Sequence, residues 1–469
     1  MRAICCFGVC LREYEGRLDC QFYLPEHRLL EVRMHNSGYP TYPIGNSHIS
    51  VRVVDGPFGS DLKVDEYKEK GIPLVRVGNC RTGEILVDDE LVFISPEKHS
   101  ELIRSEVLPG DVVLTKAGHI LGYAAVFPEK LERGNITSHL AAIRPSKEIN
   151  PRYLAEFLTS DIGTDQIYRW GNKSTRPELN TDEVRRLLVV LPDSKTQHIL
   201  VIQMDSAREL RNAKLAEADA LQTGMDGYLL ESLKLSLPTE NKRRVFAIKH
   251  GRIPPRFDPH FHAPSFSGIV KSLEQINSPC LAELVSFSLD TWKLADTTES
   301  TFRYIEISNV SPYTGEARFD NVLVTEAPSR ARMITREGDI IVSLTRPHHG
   351  SIAQITPELD GCIASTGFAV IRPKNAGRVD LDYLWCVLRS SMCRQQMLQR
   401  ASGGNYPAIT EQELGKILVP TPSLVNQKII AAEARRRRDE ARKLRAEAEQ
   451  GWREAKAQFE AALLGEPNA

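Results

Sequence analysis

Two long stretches of the chain place apolar residues three or four positions apart, which is the spacing of one face of an α-helix. In the later stretch these residues are Ala441, Leu444, Ala448, Trp452, Ala455, Phe459 and Ala462. In the earlier, looser stretch they are Ile199, Ile202, Leu210, Ala213, Leu221, Met225, Leu229 and Leu233. The pattern predicts helices over residues 193–236 and 423–465. One such stripe would favour packing on its own domain, whereas two at matching places favour pairing with each other.

Each predicted helix follows a short strand that ends in proline, Leu187–Pro192 in one case and Ile417–Pro422 in the other. Ser194 and Gln197 have the spacing of a capping box, and Ser423 with Asn426 is a weaker version of it. Further β-type runs, such as Asp111–Thr115 and Ala124–Phe127, are separated by Gly and Pro. These signals predict a mixed region of strands before each helix.

The chain also repeats itself, with most matching segments about 230 residues apart. The matches are Arg17–Phe22 with Arg256–Phe261, Leu74–Asn79 with Tyr304–Asn309, Gly110–Leu114 with Gly338–Val342, Ile143–Pro145 with Ile371–Pro373, and Gln197 with Gln427. Five matches in the same order indicate one module used twice. The predicted fold class is therefore α+β, with two repeated mixed α/β domains at residues 1–192 and 237–422. The two helices that join them form an antiparallel coiled coil if a pseudo-two-fold axis relates the modules.

Composition narrows the class of protein. The 469 residues leave room for about three domains. Lys and Arg number 60 against 61 Asp and Glu, so a uniformly basic coat is excluded, but a basic face is not. Nine cysteines without a C-x-x-C pair favour a reduced cytoplasm over a disulfide framework. No apolar run approaches 18 residues, so no membrane span is expected.

Motifs for catalysis are missing from the sequence. It has no phosphate-binding loop, no dinucleotide fingerprint, no H-E-x-x-H and no Asn/Asp-Pro-Pro-aromatic motif for holding a target base. Glu454 and Lys456 resemble a fragment of a nuclease motif, but a solvated helix face explains them better. We therefore expect a non-catalytic chain with no cofactor and no metal site.

Basic or amide-rich loops stand at two matching places in both copies, after the Gly-Asp strand and before the long helix. Their side chains are donors and acceptors of the kinds that meet phosphates and base edges. The candidate DNA-binding residues are Lys116, His119, Arg169, Lys173, Ser174, Arg176, Arg346, His348, His349, Arg400, Asn405 and Tyr406. Adjacent histidines on a strand point to opposite faces, which favours polar contacts over a shared metal for the pair in copy two. The loops differ between copies while the strands match, as expected for a reader of two different half-sites.

This order of motifs resembles the specificity (S) subunit of type I restriction-modification systems over nearly the whole chain. The resemblance rests on the tandem modules, the R-[LF]-D-x-x-F segments, the Gly-Asp strands and the helix starts with Gln197 and Gln427. In the family, Glu often precedes that Gln, whereas Thr196 and Asn426 stand here.

The resemblance implies two target-recognition domains that bind a bipartite double-stranded DNA sequence in the cytoplasm. It also implies docking of two DNA adenine methyltransferase (M) subunits, and of motor-nuclease (R) subunits for restriction. Alternatives remain: a stand-alone DNA-binding regulator, a coiled-coil adaptor, or a scaffold of a related phage-defence complex without restriction activity. A hidden nuclease would need a carboxylate cluster, which the sequence does not supply.

Overall fold

The computed structural model describes residues 20–57, 61–81, 83–87, 91–118, 120–171, 177–235, 258–293, 299–374 and 378–465. The chain divides into two compact units. Unit 1 comprises Met1–Ala213 with Glu447–Ala469, and unit 2 comprises Lys214–Ala446. Both divisions fall inside long helices, so each long helix contributes one segment to each unit.

The described residues of the two units form the following helices and strands. The helices are α1 (Pro25–His35), α2 (Pro96–Glu101), α3 (Pro151–Thr159), α4 (Asp161–Gly171), α5 (Thr181–Arg186), α6 (Ser194–Ser232), α7 (Pro264–Gln275), α8 (Leu281–Leu284), α9 (Leu381–Arg389), α10 (Ser391–Arg400), α11 (Glu411–Leu414) and α12 (Leu424–Leu464). The strands of unit 1 are β1 (Thr41–Pro43), β2 (Ser50–Asp55), β3 (Ile72–Val75), β4 (Cys80–Arg81), β5 (Glu84–Ile85), β6 (Val92–Ile94), β7 (Glu106–Val107), β8 (Val112–Thr115), β9 (Ala124–Val126), β10 (Gly134–Ile136), β11 (Leu140–Pro145) and β12 (Leu188–Val190). Those of unit 2 are β13 (Val285–Phe287), β14 (Thr301–Ile305), β15 (Asp320–Leu323), β16 (Ala331–Ile334), β17 (Ile340–Ser343), β18 (Ile352–Gln354), β19 (Ile363–Ser365) and β20 (Phe368–Pro373).

The Gly-Asp strand lies at the centre of each unit. In unit 1 the sheet order is β2-β11-β8-β9, and a second sheet has the order β6-β3-β10-β7. Alternate residues of a strand face opposite sides of the sheet. Val112 and Leu114 accordingly pack with helix α3, whereas Val113 packs with Phe127 and Ile136 in a separate cluster. The apolar run is therefore buried on both faces, which explains why it shows no alternation of polar residues.

Unit 2 repeats this arrangement with sheets β13-β20-β17-β18 and β15-β14-β19-β16. Ile340 and Val342 pack towards helix α9, and Ile341 packs on the other side with Phe368. In each unit the second sheet contains one parallel pair, β3 with β10 and β14 with β19. The mixed α+β class predicted from the sequence is confirmed.

The recurring Gly-Asp and Ile-Arg-Pro motifs are joined by an ion pair. Asp111 accepts two hydrogen bonds from Arg144, both at 2.8 Å, which ties β8 to β11. Asp339 and Arg372 repeat the pair between β17 and β20, at 2.7 and 3.1 Å. Both aspartates are buried, and a buried carboxylate requires such a partner. The motifs therefore have a structural role in both copies.

Within unit 1, the segments of α6 and α12 run antiparallel. The Arg211 guanidinium lies 2.7 Å from the Glu449 carboxylate. Further along, Phe459 is buried with Leu200 and Met204 in the core of unit 1. Residue numbers thus rise along one segment as they fall along the other. Trp452, which the sequence assigned to this seam, is only partly buried, under the guanidinium groups of Arg208 and Arg211.

Within unit 2, the other segments of the two helices are also antiparallel. Arg445 pairs with Asp219 at 2.9 Å, and Leu444 packs with Ala218 and Leu221. The predicted stripe on α6 is only partly correct, because Ile199, Ile202 and Leu210 are 45%, 51% and 58% exposed. The apolar residues that α6 buries wholly or in part include Leu200, Val201, Met204, Ala218, Leu221, Met225 and Leu229. The predicted stripe is therefore wrong in the first part of α6 and correct for Leu221, Met225 and Leu229 in its last part.

Two predictions about the helix starts are wrong. The carboxylate of Asp193, not the hydroxyl of Ser194, accepts from the amides of Lys195 and Thr196, both at 3.0 Å. The predicted strand Ile417–Pro422 is reduced to an isolated bridge between Leu418 and Cys280. At the start of α12, by contrast, the Ser423 hydroxyl does cap the helix by accepting from the Asn426 amide at 3.3 Å.

Gln197 and Gln427 are anchors rather than capping residues. The side-chain oxygen of Gln197 accepts from the Asn150 amide at 2.7 Å, and its Nε2 donates to the carbonyl of Pro192 at 2.9 Å. Gln427 makes the corresponding contacts with Asp380 and Pro422, each at 2.9 Å. The repeated Gln therefore fixes the start of each long helix to the start of α3 or α9.

Candidate nucleic-acid interface

In unit 2, the two loops that the sequence singles out lie side by side. The Arg346 amide donates to the carbonyl of Pro407 at 2.7 Å, and Thr345 forms a bridge with Ala408. Arg346 Nη2 donates to the carbonyl of Asn405 at 3.3 Å. The loop after β17 and the loop after α10 therefore form one surface, which displays Tyr406 with 70% of its area exposed.

Arg346 is held in an unusual conformation at the centre of this surface. Its φ is +48°, in the left-handed region that residues with a Cβ adopt at a cost of about 1–2 kcal/mol. The guanidinium carbon lies 4.3 Å from the ring centroid of Tyr406. Backbone strain of this kind clusters at functional sites, where the surrounding contacts maintain it. The stacked pair can present a guanidinium edge and an aromatic face together, a combination suited to base edges and phosphates.

His348 and His349 lie next to Arg346 but differ in burial. Their rings make an edge-to-face contact with centroids 4.5 Å apart. Burial, followed by the positive charges of His349, Arg346 and Arg394, lowers the pKa of His348 and so favours its neutral form. His349 is less buried and can donate or accept at the surface. In the part of the chain that the structure describes, no group of three metal-ligating side chains is present.

In unit 1, the two corresponding loops are also adjacent. The Leu179 amide donates to the carbonyl of Lys116 at 2.8 Å, and the Gly118 amide donates to that of Pro177 at 3.2 Å. The Lys116 side chain is buried, with Nζ 3.7 Å from the Glu178 carboxylate. Four further candidates of this copy lie outside the described residues, namely His119, Lys173, Ser174 and Arg176.

Arg169 and Arg400, which the sequence places at matching positions, have structural partners. The Arg169 guanidinium donates to the carbonyl of Phe22 at 2.8 Å, pairs with Glu31 and is 9% exposed. Its structural counterpart is Gln399, which donates to the carbonyl of Phe261 at 2.8 Å. Arg400 instead pairs with Glu413 at 3.0 Å. The D-x-x-F motif thus supplies the carbonyl that anchors α4 or α10, a role that the sequence alone did not reveal.

A cleft near Lys116 was missed from the sequence. It has a volume of about 470 Å³, lies in unit 1, and is lined by residues that include Arg76, Gly78, Ser138 and His139. The Lys116 amide donates to the carbonyl of His139 at 2.9 Å, which places the cleft beside the first candidate loop. The polar run Thr137-Ser138-His139 directly after a buried strand was the available signal.

Comparisons with known proteins identify the class. Residues 295–433 match the family described as "Type I restriction modification DNA specificity domain". This range contains all the candidate residues of the second copy, from Arg346 to Tyr406. Residues 295–433 are therefore similar to the DNA specificity domains of the type I class, and the resemblance to type I specificity subunits drawn from the motifs is confirmed.

The curated relatives agree with this class. The chain is 28% identical over 137 residues to the HindI specificity subunit of Haemophilus influenzae, and 30% identical over 142 residues to the EcoBI specificity subunit of Escherichia coli. These matches cover 29% and 30% of this chain, and 27% and 29% of the relatives. The chain's matched part thus spans less than a third of either relative.

The fold is similar over a longer range. A chain in a structure on complex assembly and conformational transition of the type I R-M system superposes with a TM-score of 0.50 at 16% identity. The likeness covers 91% of this chain and 96% of that one, and it concerns the fold alone. In the described helices, none combines the length and apolar composition needed to cross a membrane.

Proposed function

We propose that this chain is the DNA sequence-recognition subunit of a type I restriction-modification complex. It binds a bipartite double-stranded DNA target through one recognition domain in each repeat, residues 1–192 and 237–422. The observation that carries the proposal is the shared placement of two adjacent loops in both units, with different side chains on the same framework. A two-fold repeat within one chain gives the geometry of a dimeric DNA reader while allowing unlike half-sites.

The long helices set the distance between the two readers. The antiparallel contacts inside each unit support one coiled coil that extends over residues 193–236 and 423–465. About 40 residues of helix span roughly 60 Å. A spacer of fixed length then fixes the gap between the half-sites, since each domain is attached near the start of its own helix by Gln197 or Gln427.

Catalysis belongs to partner chains in this proposal. Two DNA adenine methyltransferase subunits dock on the chain, and motor-nuclease subunits join them for restriction in the cytoplasm. A base-modifying subunit must extrude its target from the duplex and needs its own pocket for that base. The chain itself acts without cofactor, so the purified chain incubated with S-adenosylmethionine and plasmid leaves the DNA unmethylated. Methyl transfer by the pure chain would contradict this division of roles.

The surface around Arg346 provides the first test on individual residues. Replacing Arg346 by Gln removes a charged donor from this surface, while the control Lys428→Gln removes an exposed charge from α12. If Arg346 reads a base, discrimination at one position of the target falls by about 1–3 kcal/mol. If it contacts a phosphate, binding weakens on all sequences and the salt slope falls by about one unit. Competition binding with a library of variant targets separates these results.

Tyr406→Ala tests the stacking partner, and Tyr406→Phe keeps the ring. We expect the Ala variant to weaken DNA binding and the Phe variant to retain most of it, because the ring supports the Arg346 guanidinium. The buried Lys116 and the paired Arg169 and Arg400 stay predictions as DNA contacts, and their Gln variants complete the set. Unaltered binding in all of these variants would show that the loops are not the DNA face.

A domain exchange tests the bipartite target. Replacing residues 1–192 by the same region of another specificity subunit is expected to change one half-site and leave the other unchanged. Lengthening α6 by one turn, roughly 5 Å, is expected to change the tolerated gap by one or two base pairs without changing the bases read. Methylation mapping in cells that carry each altered chain measures both. A change of both half-sites by one exchange would mean that the repeats form a single composite surface.

A further inference from the structure

A guanidinium group docks against the same turn in both units, but it comes from different helices. In unit 1 the Arg208 side chain of α6 lies against Gly83, whose φ is +79°. In unit 2 the Arg389 side chain of α9 lies against Gly315, whose φ is +70°. A Cβ at either glycine would collide with that guanidinium, so both turns are built around an arginine.

The arginine of unit 1 has carboxylate partners. Arg208 pairs with the buried Glu156 and, at 2.9 Å, with Asp205. Burial raises the pKa of Glu156, while the Arg208 charge opposes this shift. In unit 1, two carboxylates of the chain itself therefore balance the charge of the docked guanidinium.

In unit 2 the docked Arg389 is satisfied by neutral acceptors. It donates to the carbonyls of Gly350 at 2.9 Å and Tyr313 at 2.7 Å. Burial, with the nearby Arg394 charge, lowers the pKa of Arg389 to about 10. Main-chain carbonyl groups thus stabilise the positive charge of Arg389. Among the described residues, this guanidinium makes no hydrogen bond to a carboxylate.

In unit 2, Arg389 of α9 lies against the turn that Arg208 of α6 contacts in unit 1. The residue of α12 that corresponds to Arg208 in the repeat lacks the two carboxylate partners that Arg208 has. That counterpart is Arg438, and the residues at the places of Glu156 and Asp205 are Cys386 and Arg435. The Asp439 carboxylate lies 3.6 Å from Arg438 Nε, beyond hydrogen-bond distance. The Nε atoms of Arg438 and Arg394 are both buried with no hydrogen-bond acceptor in the part of the chain described.

These arginines line a cavity of about 310 Å³ inside unit 2. The lining also includes Met225, Leu229 and Trp385, with the Trp385 ring 5.2 Å from the guanidinium carbons of both Arg389 and Arg438. The lining carboxylate, Asp226, accepts from the Ser391 amide at 3.0 Å and lies 4.0 Å from Arg394. Asp226 is therefore engaged at the start of α10, and the cavity keeps a surplus of positive charge.

We propose that this cavity binds a small organic anion, with its phosphate or carboxylate group on Arg394 and Arg438 and its apolar part along Met225, Leu229 and Trp385. The volume lies at the lower end of the range for small-molecule sites. Guanidinium groups bind planar or tetrahedral oxyanions through paired, charge-assisted hydrogen bonds. The bound anion supplies to Arg438 the negative charge that Glu156 supplies to Arg208. The site adjoins the candidate loop after β17, because Arg389 and Arg394 lie against Gly350. The anion proposal nevertheless does not depend on the proposed function, since it requires no contact with DNA.

Calorimetric titration of the full chain with phenyl phosphate tests the proposal, at constant ionic strength with chloride as the reference anion. Two variants remove the site in different ways: Arg438→Gln deletes a donor, and Cys386→Glu installs the carboxylate found in unit 1. Arg435→Gln is the matched control, because it removes a neighbouring charge of the same helix that does not line the cavity. Circular dichroism and thermal unfolding establish that each variant is folded.

We expect saturable binding of one phenyl phosphate per chain, weakened about tenfold or more in both variants and unchanged in the control. Benzoate in place of phenyl phosphate distinguishes a carboxylate ligand from a phosphate ligand. Inorganic phosphate should bind more weakly than phenyl phosphate, because it cannot use the apolar lining. Binding that does not saturate, or that persists equally in Arg438→Gln and Cys386→Glu, would overturn the proposal.

Discussion

In unit 1 the hydroxyl of Tyr153 donates to the carbonyl of Val190 at 2.7 Å, and in unit 2 that of Tyr383 donates to the carbonyl of Pro420 at the same distance. The two units thus share this hydrogen bond between a side chain and the main chain. Gln166 and Gln396 provide another case, since each accepts from a main-chain amide, of Leu188 or Leu418, at 2.8 Å.

Contacts between two side chains are kept at one place, the Asp111–Arg144 and Asp339–Arg372 pairs, and changed at another. At the start of α3, Arg152 pairs with Asp205 of α6, whereas at the start of α9 Asp382 pairs with Arg435 of α12. Both units have an ion pair at this place, but the acidic and the basic residue have changed places between the two helices. A main-chain group cannot be altered by substitution, so its side-chain partner is constrained, whereas two side chains can exchange roles. Both kinds of contact can therefore belong to the shared framework, but only a pair of side chains can stay complementary after both members have changed.

The largest expected effect concerns the ends of the long helices. Phe459 and Leu229 lie at matching places near the ends of α12 and α6, and each is buried in the core of its own unit. Phe459→Ala should destabilise unit 1 by about 3–5 kcal/mol, and Leu229→Ala should destabilise unit 2 by about 2–5 kcal/mol, because each leaves a cavity. Hydrogen exchange of peptides from β8 and β17 reports on the two units separately.

Ile202→Ala is the control, since Ile202 is 51% exposed and its truncation should change little. The comparison between units fails if Phe459→Ala lowers the protection of β17 as much as that of β8. In that case the two cores would unfold as one, and each helix end would stabilise the whole chain.

The shared tyrosine hydroxyls should have an intermediate effect. Tyr153→Phe and Tyr383→Phe each remove a buried hydrogen bond to a carbonyl and leave the ring in place. We expect a loss of about 1 kcal/mol in each unit, which urea unfolding can measure. Tyr406→Phe, at an exposed ring, should change stability much less. A clear loss in one unit and none in the other would show that the repeated contact is not equivalent.

The sequence predicts the repeat, the α+β class and the helices because periodicity and matched motifs are local signals. It placed the apolar face wrongly in the first part of α6, since Ile199, Ile202 and Leu210 match the helical period but are exposed. The partners of Arg169 and Arg400 could not be predicted, because Glu31 and Glu413 come together with them only in the folded chain. Candidate loops can thus be found from composition. Only the structure shows which of their arginine and lysine side chains are paired within the chain and which can contact DNA.

Substitutions in the ion pair whose charges are reversed between the units should have the smallest effect on stability. They also test the comparison between the units most directly. Asp382→Arg places two arginines together in unit 2, and adding Arg435→Asp recreates the polarity of unit 1. Because these side chains are partly exposed, we expect a coupling energy of about 0.2–1 kcal/mol from the double-mutant cycle at low salt. The double variant should still be slightly less stable than the natural chain, since Asp382 lies in the first turn of α9, where the helix dipole favours an acidic residue.

Urea unfolding at low and high salt measures the cycle, and the coupling should shrink as salt screens the charges. Purely additive substitutions at low salt would mean that polarity is set by the helix ends alone, and that the pair contributes nothing to either unit.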